Sequence, residues 1–307
     1  MNLYDIILSI GFCSHTAVGI LGNSFLIWLF LFMLLTGHRL RPIDTILAQL
    51  ACFNSLLLLS KGIPQTMAAL GLKNFLDKNG CIIVFYLHKV SQGLSLNMTC
   101  FLSGFQAITI SPSSTRWSEF KARAPKYIIP TSSLFCIAHL LLNIIVLENV
   151  GGLQGSKNHS ELHDYGYCSG IETAKVSSIL FGVLVSLHDA VLIGLMIFAS
   201  GYMILLLYRH HKQNKYIYMA NLSPKDSPKI RAIQSILLLM STFVSFYSLN
   251  SILISYMYLR KPRPWLIQCS SLLSICFPTF SPFVLICSDS QLLKYCCVFW
   301  GRNAPDI

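Results

Sequence analysis

The 307-residue sequence has few charged residues: only 11% are Asp, Glu, Lys or Arg, whereas soluble domains carry about 25%. Apolar residues make up 54% of the chain, and the mean hydropathy is +0.60. These values exclude a soluble globular protein and predict an integral membrane protein in contact with membrane lipid. The net charge of +11 does not indicate a nucleic-acid partner, because the cations lie in short connections between apolar runs and not on one soluble face.

The motifs of enzymes and metal sites are also missing. The sequence has no Cys-x-x-Cys pair, no Gly-rich phosphate loop, no Gly-x-Ser-x-Gly elbow and no His-Glu-x-x-His motif. We therefore expect neither an enzyme nor a metal or cofactor site. Most of the eleven cysteines lie inside apolar runs, where a thiol usually packs as a small hydrophobic group. Asp189 is the one acid within those runs, which argues against an ion-coupled transporter.

Seven apolar runs are long enough to cross a bilayer, which takes about 20 helical residues. They cover residues 6–35, 45–71, 81–110, 127–147, 176–208, 233–259 and 265–287. The sequence therefore predicts an all-α fold, a seven-transmembrane helix bundle that forms a single domain over residues 1–307. Lys61 and Pro64 interrupt the second span, which predicts a kink there. The third span mixes small and polar residues with apolar ones, which suits a helix surrounded by other helices.

The distribution of lysine and arginine predicts the orientation. Fourteen of these cations fall in the loops and tail on one side of the spans and seven on the other, and the richer side is expected to be cytoplasmic. The N-terminus is then outside the plasma membrane and the C-terminus inside. Asn158-His159-Ser160 becomes an N-glycosylation sequon in an outer loop. Cys81 and Cys168 face the same oxidising side, where a disulfide persists.

Ionisable and aromatic side chains within the spans are candidates for a ligand pocket. Such ionisable groups are costly in lipid, and a small organic ligand needs a mostly apolar cavity with a few polar groups. Asp189, next to His188 in the fifth span, is either a polar anchor for a ligand, a latch to Lys89 or Lys61, or a satisfied pair between helices. The candidate pocket residues are Phe85, Tyr86, His88, Lys89, His188, Asp189, Tyr247 and Asn250.

Two further groups of residues are candidates for architecture and for partner binding. Buried amides and a hydroxyl beside a proline are expected to connect helices at a hub, which comprises Asn23, Asn54, Ser281 and Pro282. Basic residues in the inner loops either contact a cytosolic partner or reflect topology and anionic lipid; they are Arg116, Lys121, Arg123, Arg209 and Lys212. S-palmitoylation of Cys296 or Cys297, just after the last span, stays open.

Short motifs extend from the first inner loop to the seventh span. They are Arg39-Leu-Arg-Pro42-Ile-Asp44, Lys61-Gly-Ile-Pro-Gln-Thr-Met-Ala-Ala69, Gly80-Cys81 with Phe85-Tyr86-x-His88-Lys89-Val90, Gln106-Ala-Ile-Thr-Ile-Ser111, Tyr165-Gly-Tyr-Cys-Ser169, Tyr208-Arg-His-His-Lys212, Asn221-Leu-Ser-Pro224, Arg231-Ala-x-x-Ser235-Ile236 and Cys276-Phe-Pro-Thr-x-Ser-Pro-Phe-Val-Leu285. Together these motifs resemble those of the vomeronasal type-1 receptors, a family of G-protein-coupled pheromone receptors.

The resemblance implies a seven-helix receptor that binds a small odorant or pheromone and activates a heterotrimeric G protein of the inhibitory class. It also implies a disulfide between Cys81 and Cys168 and a glycan on Asn158. Like that family, the chain lacks the Asp-Arg-Tyr motif of rhodopsin-like receptors, and Phe105-Gln106-Ala107 occupies the corresponding region. The alternative hypotheses are a channel or transporter, and a receptor-like scaffold that assists the trafficking of other receptors.

Overall fold

The computed structural model describes residues 3–38, 40–72, 75–111, 115–144, 162–164, 167–171, 176–218, 228–259, 264–288 and 292. Long helices account for nearly all of these residues. In chain order they are α1 Leu3–Leu35, α2 Pro42–Leu57, a π-helical turn Leu58–Gly62, α3 Ile63–Ala69, α4 Lys78–Ile110, α5 Thr115–Leu142, α6 Val176–Tyr218, α7 Pro228–Leu259 and α8 Pro264–Ser288. The predicted first span corresponds to α1, the second to α2 and α3, and the third to seventh to α4–α8.

Six helical segments in the described part of the chain are long and apolar enough to cross a membrane. They are Ile6–Leu35, Pro42–Ala69, Lys121–Leu142, Gly182–Arg209, Leu237–Ile254 and Trp265–Cys287. Helix α4 is not among the six: its 33 residues suffice in length, but many of its side chains are polar. The membrane helix bundle is therefore confirmed. The predicted sixth span, 233–259, contains the apolar segment Leu237–Ile254, which belongs to a helix that begins at Pro228.

The helix of the second span is irregular at the place where the sequence predicts a kink. Residues Leu58–Gly62 form a π-helical turn, and Pro64 follows in the first turn of α3, where its missing N–H is tolerated. Gly62 lies against α1, and a Cβ atom there would come within 2.6 Å of Thr16 Oγ1. The absence of a side chain at Gly62 thus allows α1 to approach the distorted turn.

Two short strands are an exception to the all-α prediction. Leu162–Asp164 (β1) and Ser169–Ile171 (β2) pair in antiparallel fashion, with Asp164 opposite Ser169. The apolar runs gave no sign of this pairing, because the strands belong to a polar connection between α5 and α6. The hairpin brings Cys168 towards the start of α4.

Helix α4 occupies the middle of the bundle, where it packs against α2, α5, α6 and α7. Its buried face is rich in small polar groups: Ser91, Ser95, Asn97, Thr99 and Ser103 are each at most 3% exposed. Helices on the periphery have the opposite pattern, and large apolar side chains of α6 are 53% to 75% exposed, namely Leu184, Leu187, Val191, Leu195 and Phe198. This distribution is typical of a bundle whose outer surface contacts lipid and whose interior is held by interhelical hydrogen bonds.

Candidate functional site

Hydrogen bonds between three side chains, Asn54, Ser95 and Ser281, join α2, α4 and α8. The Asn54 side chain is fully buried; its Nδ2 donates to Ser281 Oγ at 2.9 Å, and its Oδ1 accepts from Ser95 Oγ at 2.7 Å. Nearby, Asn23 Nδ2 donates to the carbonyl oxygens of Gly19 and Pro278, both at 2.8 Å. The Pro278 carbonyl is available because Pro282, four residues later, has no N–H to bond it.

Pro282 itself is part of the contact between α8 and α1. A Cβ atom on Gly22 would lie 2.8 Å from Pro282 Cγ, so these two helices meet through a glycine and a proline ring. All four predicted hub residues, Asn23, Asn54, Ser281 and Pro282, therefore lie at the junctions between α8 and its neighbours.

A polar chain crosses the bundle from α4 to α7. The Asn97 amide and the His139 ring form a hydrogen bond, and the rings of His139 and His188 meet edge to face with centroids 5.5 Å apart. His188 Nδ1 lies 3.1 Å from Asp189 Oδ1, and the Tyr247 hydroxyl donates to Asp189 Oδ2. Asp189 is thus bonded to α7 through Tyr247.

The latch that the sequence suggested between Asp189 and Lys89 or Lys61 takes a different form. Among the described residues neither lysine lies within 4 Å of a carboxylate oxygen. The carboxylate oxygens contact Tyr247 and His188 instead, because those side chains enter the same layer from α7 and from α6 itself.

A narrow cavity of about 30 Å³ lies between α2, α4, α7 and α8. This volume holds one or two water molecules. Its lining is mostly aromatic and aliphatic with a few polar groups: Leu57, Gln92, Ser95, Phe243, Phe246, Tyr247, Asn250, Leu273, Ser274, Phe277 and Pro278. Asn250 is held there by Ser270, whose hydroxyl donates to Asn250 Oδ1 at 2.6 Å.

Two of the eight predicted pocket residues, Tyr247 and Asn250, line this cavity. Gln92, Ser95 and Ser274 were not predicted, although Gln92, Ser95 and Thr99 follow one another at helical spacing along α4. That polar stripe was the available signal. The predicted residues His188 and Asp189 contribute to the polar chain and reach the cavity only through Tyr247.

The remaining predicted pocket residues lie nearer the end of the bundle where Cys81 is located. Phe85 stacks on Tyr167, with ring centroids 5.8 Å apart, and the Tyr86 hydroxyl donates to the Leu140 carbonyl of α5 at 2.9 Å. His88 and Lys89 follow on the next turn of α4. His88 is 6% exposed, and its Nδ1 has no hydrogen-bond partner among the described residues.

A disulfide links the hairpin to this end of the bundle. Cys81 at the start of α4 is bonded to Cys168, 87 residues later. Cys168 and Tyr167 are both buried, among apolar side chains from the ends of α3 and α4. Tyr167 and Cys168, which lie between α5 and α6 in the sequence, are therefore held over the ends of α3 and α4.

At the opposite end, the basic residues predicted to meet a cytosolic partner are placed differently from one another. Lys121 is half-buried and donates to the Ser111 carbonyl at the C-terminus of α4, which is a helix-capping role. Arg123 and Arg209 are exposed. The structure does not describe the side chains of Arg116 and Lys212. Asn158, Cys296 and Cys297 lie outside the described residues altogether.

Comparison with known proteins places this arrangement in a family. Residues 6–298 match the vomeronasal organ pheromone receptor family. The chain is 45% identical over 288 residues to human vomeronasal type-1 receptor 1, which covers 94% of this chain and 81% of that receptor. It is 42% identical over 290 residues to human vomeronasal type-1 receptor 4, and the match covers 94% of this chain and 96% of that receptor. It is also 31% identical over 295 residues to olfactory receptor class A-like protein 1 of Danio rerio, and the match covers 95% of this chain and 92% of that protein.

The match includes nearly all of the helices described above, with the cavity, the hub and both cysteines of the disulfide. Its extent and the membrane helices together identify a multi-pass protein of the plasma membrane. The chain belongs to the vomeronasal organ pheromone receptor family.

Proposed function

We propose that the protein is a chemosensory receptor with seven membrane crossings, in which a small organic pheromone or odorant binds among the helices and activates an inhibitory-class heterotrimeric G protein. A ligand shifts such a switch only by binding one arrangement of the helices more tightly than another. The ligand must therefore contact a residue that also takes part in a contact between two helices, so that its binding favours one arrangement of those helices.

Tyr247 is that residue, and its position is the observation that carries the proposal. Its ring lines the cavity, and its hydroxyl donates to Asp189 on α6. Its neighbour Phe243 stacks on it and also meets Phe277 of α8 edge to face, with centroids 4.4 Å apart. A ligand that enters the cavity has to displace or contact these rings, and it then alters the connection between α6 and α7.

In this proposal the disulfide end of the bundle faces the outside of the cell. The excess of cations in the opposite loops supports this orientation, as do the Asn158 sequon and the disulfide itself. Helix α4 would be the seventh crossing, shielded from lipid by its neighbours. Epitopes placed within residues 209–229 should be accessible to antibody only after permeabilisation of expressing cells, and accessibility on intact cells would refute this topology.

The central experiment measures nucleotide exchange on purified G proteins by surface-delivered receptor, against a panel of urinary and steroid compounds. We expect agonist-dependent exchange on the inhibitory class and none on the stimulatory class. The basic surface that contains Arg123 and Arg209 would contact the G protein. No exchange on any G protein with any compound, from receptor verified at the cell surface, would refute signalling.

Tyr247→Phe tests the switch, because it keeps the ring in the cavity and removes only the hydroxyl that Asp189 accepts. Hydrogen bonds between membrane helices contribute about 0.6 to 1.7 kcal/mol, which corresponds to roughly a 3- to 17-fold change in an equilibrium constant. We expect basal exchange to rise by a factor in that range. Tyr256→Phe is the matched control, since Tyr256 lies on the same helix with 48% exposure. Equal behaviour of the two variants would contradict the proposed role of Tyr247.

Asp189→Asn complements that experiment. The amide oxygen still accepts from Tyr247, but the negative charge of Asp189 is lost. We expect the concentration of agonist that gives a half-maximal response to change, with surface expression unaltered. An unchanged response to every active ligand would remove Asp189 from the ligand site while leaving the receptor class intact.

A further inference from the structure

Two histidines from neighbouring helices meet within the polar chain. The His139 ring of α5 and the His188 ring of α6 are in edge-to-face contact, with centroids 5.5 Å apart. His139 is 7% exposed and lies within the last turn of α5, which ends at Leu142. The His188 side chain is 39% exposed. The pair is therefore near a helix end, and a proton can reach it through His188.

The hydrogen bonds of Asn97 determine which nitrogen of His139 carries a proton. Asn97 Nδ2 donates to the carbonyl oxygen of Gly93 at 3.1 Å, and because a carbonyl only accepts, this bond orients the amide. The same NH2 group then donates to His139 Nε2. A ring nitrogen that accepts a hydrogen bond carries no proton. His139 is therefore neutral in this arrangement of the helices, with its proton on Nδ1.

His188 is bonded in the opposite way. Its Nδ1 atom lies 3.1 Å from Asp189 Oδ1, and because an ionised carboxylate only accepts, this nitrogen carries a proton. The other carboxylate oxygen accepts from the Tyr247 hydroxyl. A second proton on His188, at Nε2, would leave both of these bonds in place. An added proton is thus compatible with the contacts of His188, whereas on His139 it removes the acceptor of the bond from Asn97.

The charges on the surrounding helices favour one added proton and oppose a second. In the described part of the chain, Asp189 is the one carboxylate that contacts either ring. Asp44 of α2 is paired with Arg41 at the opposite end of the bundle. Lys89 precedes Gly93 by one turn of α4 and adds a positive charge on that side. The titratable groups facing the pair are Tyr86 and Lys89 on α4, Asp189 on α6 and Tyr247 on α7.

We propose that His139 and His188 form a proton-binding site through which acid weakens the connection between α6 and α7. In acid His139 takes a proton from the solvent on Nε2, loses the bond from Asn97 and then faces a cationic His188 ring. The half-exposed His188 moves away, and the adjacent Asp189 moves with it and releases Tyr247. The receptor is thus sensitive to the pH of the outer solution. The inference rests on the proposed receptor function, because it names a regulation of the same switch.

The size of the effect follows from proton linkage. Consider a site that binds no added proton in one arrangement of the helices and titrates as an ordinary histidine, at about pH 6.5, in another. Lowering the pH from about 7.5 to about 5.5 then shifts the equilibrium between the two arrangements by about tenfold at most. A tenfold shift corresponds to about 1.4 kcal/mol, or about 3 °C in the unfolding midpoint of a chain of this size.

The first test measures the unfolding midpoint of full-length receptor in lipid nanodiscs at about pH 7.5 and about pH 5.5, on either side of the histidine range. In His139→Gln the amide oxygen accepts from Asn97 at either pH and takes up no proton. We expect acid to lower the wild-type midpoint by about 3 °C more than that of this variant. An equal effect of acid on both would overturn the proposal.

His38→Gln is the matched control for this measurement. His38 is exposed beyond the end of α1 and its ring bonds to Thr36, far from the pair in the sequence and on another helix. This variant should respond to acid as the wild type does. A His38→Gln receptor that loses the pH response to the same extent as His139→Gln would overturn the assignment to the pair.

The second test measures basal G-protein activation in intact cells, where only the pH of the medium changes. Relative to His139→Gln, the wild type should rise by a factor of up to about ten between about pH 7.5 and about pH 5.5. If His139→Gln fails to fold, His188→Gln replaces it in both tests, because it removes the second cationic ring and should reduce the response. A relative change below about twofold, or an undiminished response in the substituted receptor, would overturn the site.

The nanodisc experiment contains no G protein, which separates the two proposals. A pH-dependent difference between the wild type and His139→Gln, without activation of any G protein, would refute the signalling function and leave the proton site standing. Agonist-dependent activation with the same pH dependence in both receptors would refute the proton site and leave the signalling function standing.

Discussion

Replacement of Asn54 by alanine should destabilise the bundle more than any neighbouring polar substitution on α2. Asn54 makes two interhelical bonds at once, one to Ser281 of α8 and one from Ser95 of α4. Its side chain is fully buried, and the two hydroxyls are at most 3% exposed. Alanine removes both bonds and leaves Ser95 and Ser281 without this partner. The hydroxyls can then bond only locally, to the carbonyls of their own helices.

The magnitude follows from the number of bonds. Bonds between membrane helices average about 0.6 kcal/mol and reach about 1.7 kcal/mol, so two of them give a loss of roughly 1 to 3 kcal/mol. For a chain of this size each kcal/mol lowers the unfolding midpoint by about 2 °C. We therefore expect Asn54→Ala to lower the midpoint by about 2 to 6 °C in nanodiscs.

Ser55→Ala is the matched control for this measurement. Within the described part of the chain the Ser55 hydroxyl bonds only to the Ala51 carbonyl of its own helix, at 2.9 Å, so its loss should cost less than about 0.5 kcal/mol. A double-mutant cycle of Asn54→Ala with Ser281→Ala should also be non-additive, by about 0.5 kcal/mol or more. Equal destabilisation by Asn54→Ala and Ser55→Ala, or full additivity in the cycle, would refute the hub as an energetic unit.

Two other perturbations test the packing of α4 at its middle and at its disulfide end. Gly93→Ala should destabilise the folded receptor by about 1 to 3 kcal/mol, because the added Cβ would overlap the His139 ring. Gly104→Ala is the control: its Cβ would enter open space, so this variant should be neutral or stabilising in the same thermal assay. Cys81→Ala should lower the yield of receptor at the cell surface, because it removes the disulfide to Cys168, 87 residues away. In the chain-entropy model a disulfide of this separation contributes at most about 4.6 kcal/mol to stability. Surface levels equal to those of the wild type would contradict this role of the disulfide.

The architecture was predictable because it depends on features that are local in sequence. Apolar runs of sufficient length predict the helices, and Lys61-Gly-Ile-Pro64 predicts the distortion that became a π-helical turn. The strand pair at Leu162 and Ser169 escaped prediction, since three-residue strands in a polar loop carry no periodicity. The limits of the helices were also uncertain, because a helix continues beyond the lipid when its exposed turns are polar.

The partners of the polar side chains were less predictable than their presence in the spans. Asn54 was a visible candidate, but its partner Ser281 lies 227 residues away, and no local pattern encodes that distance. Tyr86 and Tyr247 look alike in the sequence, yet one bonds to a carbonyl of α5 and the other to Asp189. The rotation of each helix about its axis decides between such outcomes, and that rotation is set by packing.

Helix α8 connects the cavity to the hub within little more than one helical turn. Phe277 and Pro278 line the cavity, and the Pro278 carbonyl and the Ser281 hydroxyl accept hydrogen bonds from Asn23 and Asn54. Ser95 belongs to both features, since it lines the cavity and donates to Asn54. A ligand body that displaces Phe277 therefore acts directly on the segment that holds α1, α2 and α4 together. Because prolines at 278 and 282 leave backbone bonds of this segment unmade, α8 can bend there at lower cost than an uninterrupted helix. The coupling that a receptor requires is then a matter of adjacent contacts and needs no long path through the bundle.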